Sequence, residues 1–187
     1  DNVAEKTLPD GLNKIFKLEV IARYSRAERA HKLDFKNIIL CKSLISYLLE
    51  IKKKIKEKRK KFLILSISPY TFFATILFIF SSQKPFVYLR SDGYQEYKSI
   101  FGFYGPIIYG FMFNIVSKIA SFISCREHIL RNKIGKVVSP SELTNNWMIN
   151  RKPISREKIK LLYVGRLKIE KGIFSFVELF EENDQNI

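Results

Sequence analysis

Twice in this chain a short apolar run passes directly into Ser-Pro and on into a helical pattern: FLILSISPY at residues 62–70 and KVVSPSE at residues 136–142. No other local feature limits the fold as much. A serine oxygen takes up a free N–H of a first helical turn, and proline, with no N–H and a fixed φ, suits the first helical position. A strand that runs straight into a capped helix is half of a βα unit, and βα units lay their strands in parallel. A third junction, Ser124-Cys125-Arg126-Glu127, has the serine-to-glutamate spacing of a reciprocal helix cap.

The remaining segments fit the same alternation. Leu18–Ala22 reads as a strand that enters a polar loop at Arg23, and Asn37–Cys41 as a second strand. Ser43 then caps a helix whose apolar positions Leu44, Tyr47, Leu48, Ile51 and Ile55 fall on one face. Phe62–Ser68 is continuous enough to be a strand buried on both faces, followed by a helix from Pro69 to about Phe80. Phe86–Leu89 is a further strand, ending at Arg90-Ser91-Asp92-Gly93. Residues 94–113 mix aromatics with glycines; the stripe reads as core or, because its first half is interleaved with glycine and reads as a loop leaving a strand edge, as a surface facing a membrane or an acceptor. Ile115–Phe122 reads as a helix leading into strand Ile123-Ser124, and Val137-Val138 as the next strand. Residues 1–16 carry only a turn signal, Pro9-Asp10-Gly11. The expectation is an α/β domain with a doubly wound parallel sheet over residues 1–150. The polar, basic stretch 151–158 reads as a linker, and a second such domain opens over 159–187.

Composition narrows the function classes. A formal net charge of +15 calls for an anionic partner: nucleic acid, an acidic membrane surface or a phosphorylated substrate. Helix-turn-helix, zinc-ligand and RNP-type patterns are missing, so nucleic acid is not the expected partner. Glu50–Lys61 holds eight Lys/Arg against two Glu, which suits either a solvated helix end or contact with lipid headgroups. The uncharged run Phe62–Gln83 has the length of a membrane span, but the Ser68-Pro69 cap splits it into strand and helix. Cys41 and Cys125 belong to no CxxC pair and read as reduced thiols, and His31 and His128 match no motif. Without a leader-like opening, the expected setting is the cytoplasm.

The chemistry-bearing stretch comes last: LLYVGRLKIEKG, residues 161–172. Leu161–Val164 is a short apolar strand, Gly165 stops it, Arg166 and Lys171 bracket the connection, and an apolar-faced helix follows through Phe176, Val177 and Phe180. A strand, a glycine turn with two cations and a helix can bind a diphosphate at the carboxyl edge of a parallel sheet.

This stretch closely resembles the opening of the second domain in the group 1 (family 4) glycosyltransferases of the two-Rossmann-domain GT-B fold. Ser68-Pro69 after a strand, Lys84-Pro85 before a strand and Ser139-Pro140-Ser141-Glu142 ahead of the linker agree in order and spacing. The resemblance spans roughly residues 18 to 180. It implies an enzyme that moves a sugar from a nucleotide-sugar donor to a lipid-linked or polysaccharide acceptor in cell-envelope glycan synthesis. Transfer would proceed with retention and without a metal or other cofactor. On it, Gly165, Arg166 and Lys171 fall on the positions that hold the donor diphosphate, where cations stabilise the charge on the leaving group. Ser91-Asp92-Gly93 falls near the acceptor, with serine where the family often has histidine. Asp92 is then the candidate to orient or deprotonate the acceptor hydroxyl, or else it caps a turn. Arg90 is placed to meet an acceptor phosphate. The resemblance also implies a first strand and glycine-rich loop ahead of residue 1, and an acidic donor-binding pair beyond residue 187. By itself such a piece is expected to be inactive. The implied location is the inner face of the cytoplasmic membrane, held peripherally by an anionic surface. The alternative is a basic module that binds nucleic acid or membrane without catalysis.

Overall fold

Parallel pairing is what strand–cap–helix junctions demand, and every described strand pair is parallel. The computed structural model describes residues 2–25, 37–57, 60–139, 149, 173–175 and 177–178. The chain divides into two compact units, Asp1–Pro140 and Ser141–Ile187. In the second unit the described residues are helical. The second Ser-Pro junction from Pro140 onward, the linker 151–158 and the stretch 161–172 lie outside the described residues.

In the first unit, helix α1 (Asn2–Asn13) precedes strands β1 (Val20–Arg23) and β2 (Ile38–Cys41). Helix α2 (Leu44–Ile55) leads to β3 (Leu63–Leu65) and helix α3 (Pro69–Ile76), which tightens into a 3-10 turn over Leu77–Phe80. Strand β4 (Phe86–Leu89) is followed by two helices, α4 (Gly93–Phe101) and α5 (Tyr104–Ile119). Strand β5 (Ser121–Ser124), a 3-10 turn over Glu127–Leu130 and strand β6 (Gly135–Val137) complete it.

The expected single sheet is two. β1 pairs with β2, and β3-β4-β5-β6 form a four-stranded sheet in sequence order. Apolar packing bridges them: Ile21 and Ile39 join Phe62 and Ile64 around Tyr47, Ile51, Ala74 and Phe78. The larger core lies under β4 and β5, where Val87 and Leu89 alternate inward against Phe113, Val116 and Phe122.

Local chemistry set several elements as expected. Ser43 and Ser68 both accept the N–H of the third residue on, Ser46 and Thr71, which bond back to the serine N–H. Pro69 stands at the first helical position.

Other expectations fail for visible reasons. The first half of residues 94–113 is helical instead of a loop, and the stretch belongs to a helical hairpin whose glycines let two helices approach each other. A Cβ on Gly105 would lie 2.0 Å from the Tyr97 carbonyl oxygen. The apolar run at 62–68 yields a three-residue edge strand with Leu63 exposed, ended by Ser66 at a left-handed φ of 60°. The Ser124–Glu127 junction caps no helix. Ser124 is fully buried, and its hydroxyl bonds both the N–H and the carbonyl of Arg126. One 3-10 turn follows and stops at the left-handed pair Arg131 and Asn132. Pro9 and Gly11 sit inside α1 instead of making a turn, and Pro9 is buried.

An ion-pair ring joins the start of β1 to the end of α2 and the approach to β3. Glu19 bonds Lys54 at 2.6 Å and Lys60 at 3.1 Å, and Glu57 bonds the same two lysines. The Lys54 hydrogen bond, with Lys60 and the two positive charges behind it, holds the Glu19 carboxyl below its ordinary 4.5 despite partial burial. A depressed carboxylate contributes stability above its unfolded value and loses it as pH falls through the folded value. Glu19→Gln is therefore expected to be less stable than wild type at neutral pH, with the difference vanishing in acid. Urea titrations across that range check this; a pH-independent difference would mean the ring contributes nothing through ionisation.

Candidate functional site

Ligands of parallel α/β folds sit beyond the carboxyl ends of the strands, and a polar cluster lies at that edge of β4 and β5. Strand β4 ends at Leu89, and the chain turns through Arg90 and Ser91 into the amino terminus of α4. Asp92 caps that helix: its Oδ1 accepts the Tyr94 N–H at 3.0 Å. Its Oδ2 lies 3.3 Å from Nη2 of Arg131, which arrives from the 3-10 turn after β5. The Asp92 side chain is 12% exposed and that of Arg131 48%, so the carboxylate is recessed and the guanidinium faces solvent. The same guanidinium lies over the Tyr94 ring, 4.4 Å from its centroid, an arrangement that fixes its plane.

Packing holds this cluster from beneath. Gly93 is buried against Tyr109, whose ring a Cβ at position 93 would meet at 2.1 Å. Tyr94 and Tyr109 pack edge to face at 4.9 Å, and Phe113 supports both. Burial pushes the Tyr109 hydroxyl well above its usual range; burial also raises Tyr94, against the pull of Arg131. Both phenols stay neutral and act as packing, not as acids. Cys125 braces the strand end, with its thiol donating to the Arg90 carbonyl at 3.0 Å. Cys41 is buried, and that burial raises its thiol.

The structure therefore gathers Arg90, Ser91, Asp92 and Gly93 at one sheet edge and adds Arg131 to them. Arg90, Ser91 and Asp92 are half-buried, and Gly93 is buried. Arg131 has no motif around it; the only sequence hint is the Arg131-Asn132 pair, since asparagine favours the left-handed turn that swings the arginine toward Asp92. Gly165, Arg166 and Lys171, the expected diphosphate-binding residues, lie outside the described residues. His128 is exposed on the 3-10 turn, and His31 lies outside the described residues.

Chemically, a recessed carboxylate bonded once on each oxygen still has lone pairs for a hydroxyl. The neighbouring exposed guanidinium can hold an anionic or hydroxylated ligand beside it. Among the described residues no group of three His, Cys, Asp or Glu side chains could hold a metal ion. An open cavity of about 620 Å³ lies at the opposite end of the sheet, where β5 and β6 begin. Lys84, Lys118, Lys133 and Lys136 line it, and among the described residues no acidic side chain does to accept a proton from a hydroxyl. The carboxyl edge remains the better site on chemical grounds. Comparison of the chain with family models, with curated proteins and with solved structures gave no match to any of them.

Proposed function

We propose that this chain belongs to a glycosyltransferase of the GT-B type. In this reading the enzyme moves a sugar from a nucleotide-sugar donor to a lipid-linked or polysaccharide acceptor, with retention and without a metal. The observation that carries the reading is the sequence Gly165-Arg166 followed by Glu170-Lys171-Gly172. It comes after a parallel α/β unit whose carboxyl edge presents Asp92. Arg166 and Lys171 neutralise the diphosphate as the glycosidic bond breaks. Asp92 orients the incoming hydroxyl and takes its proton, while Arg131 holds the carboxylate and Arg90 lies next to it in the chain for an acceptor phosphate.

Transfer assays with the full-length protein and a panel of nucleotide-sugars test this. Arg166→Ala and Lys171→Ala are each expected to lower the rate by about a hundredfold, with unchanged thermal unfolding. Wild-type rates in both variants would remove the diphosphate role, and the absence of transfer or binding with every donor would remove the enzyme class.

A further inference from the structure

Helix α3 packs between α2 and α5, so the outward sides of the three helices adjoin. Those outward sides are apolar. On α5, Tyr104, Ile107, Ile108 and Phe111 recur at helical spacing and are 44 to 70% exposed. No charged residue occurs between Tyr104 and Ser117. The buried α3 ring of Phe72 packs beside both Phe73 and Phe111, which are themselves exposed, so apolar side chains face solvent on α3 as well as on α5. On α2, Ile45 and Leu49 are exposed, and the same stripe continues into exposed Lys52, Lys53 and Lys56. Gln83 donates to the Ile55 and Glu57 carbonyls. Ile79 and Phe80, just before Gln83 in the chain, are exposed.

From this we infer that the outer face of α2, α3 and α5 docks on an anionic lipid bilayer. A soluble surface seldom leaves so many large apolar side chains in water on neighbouring helices. The charge selects the occupant. Lysine is depleted from protein–protein contacts, whereas a bilayer takes up apolar side chains, lets lysine stems lie along them and pairs the ammonium groups with headgroups. The net charge of +15 favours the same partner. Among the described residues no helix is long and apolar enough to cross a membrane, which fits a face that lies on the bilayer. The inference does not rest on sugar transfer, and it is read without donor or acceptor, so either reading can fail alone.

The test is co-sedimentation of the full chain with vesicles of phosphatidylglycerol and phosphatidylcholine, and with vesicles of phosphatidylcholine alone, at low and high salt. Wild type is expected to bind the anionic vesicles and to release at high salt. The exposed pair Ile107→Ser/Phe111→Ser is expected to weaken binding about tenfold or more. Lys52→Glu/Lys53→Glu is expected to weaken it about tenfold and flatten the salt dependence. Circular dichroism melts of both variants should match wild type; if one does not, Tyr104→Trp quenching by brominated lipid reports the same insertion in an intact face. Absence of wild-type binding, or wild-type binding by both variants, overturns the proposal. So does a wild-type dimer that Ile107→Ser/Phe111→Ser splits while vesicles are ignored, since the face then belongs to a second copy.

Discussion

Asp92→Asn is expected to cut transfer by about 10²–10⁴-fold while leaving the fold in place. The substitution separates two roles that the geometry superimposes. Asparagine caps a helix as well as aspartate does, so the bond to the Tyr94 N–H, 3.0 Å in the wild type, survives through the side-chain carbonyl. What disappears is the negative charge that faces Arg131 and the ability to take a proton. The lost ion pair involves an arginine that is half in solvent, so screening keeps its contribution to at most about 1 kcal/mol. Asp92→Ala removes the cap as well and is expected to lower stability by a further ~1 kcal/mol. Comparing the two variants by urea unfolding and by initial rates isolates chemistry from capping. A wild-type rate in Asp92→Asn would show that Asp92 only starts α4.

Gly105→Ala is expected to damage the fold severely, at about 3 kcal/mol. A Cβ there would lie 2.0 Å from the Tyr97 carbonyl oxygen, 2.2 Å from its carbon and 2.7 Å from the Lys98 nitrogen. All three are backbone atoms of α4, so no side chain can swing aside, and α4 must move off α5. That movement unseats Tyr97, Tyr94 and Tyr109, whose rings pack together beneath the Asp92 cap. Gly11→Ala is the control. It lies within α1 with nothing near a new Cβ, so it should gain roughly 0.5–1 kcal/mol from the less flexible unfolded chain. Equal thermal shifts in the two variants would mean that α4 and α5 are less closely packed than these distances require.

The two helices also show where sequence reasoning misled. Gly102, Gly105 and Gly110 look like loop punctuation. Only Gly102, at φ +57° between the helices, serves a turn. Gly105 and Gly110 sit within α5, the first against the α4 backbone and the second 3.3 Å from the Tyr94 ring. A glycine that makes room for a neighbour reads the same as one that bends the chain. Strand Phe86–Leu89, by contrast, was legible to the residue, because Pro85 precedes it and the polar Arg90-Ser91 follows. The apolar run at 62–68 overstated β3, since hydrophobicity does not tell a central strand from the edge strand that β3 is.

The sequence by itself determined the parallel α/β character, the serine caps of α2 and α3 and the placing of Asp92 at a strand end. Each depends on residues within a few positions of one another, where capping geometry and strand length act directly. Tertiary structure alone decided three things: the split into sheets of two and four strands, the joining of Arg131 to Asp92 across 39 residues, and the packing of α3 against both α2 and α5. Those depend on which elements come together in space, and that is set by burial summed over the whole core, which no local pattern encodes.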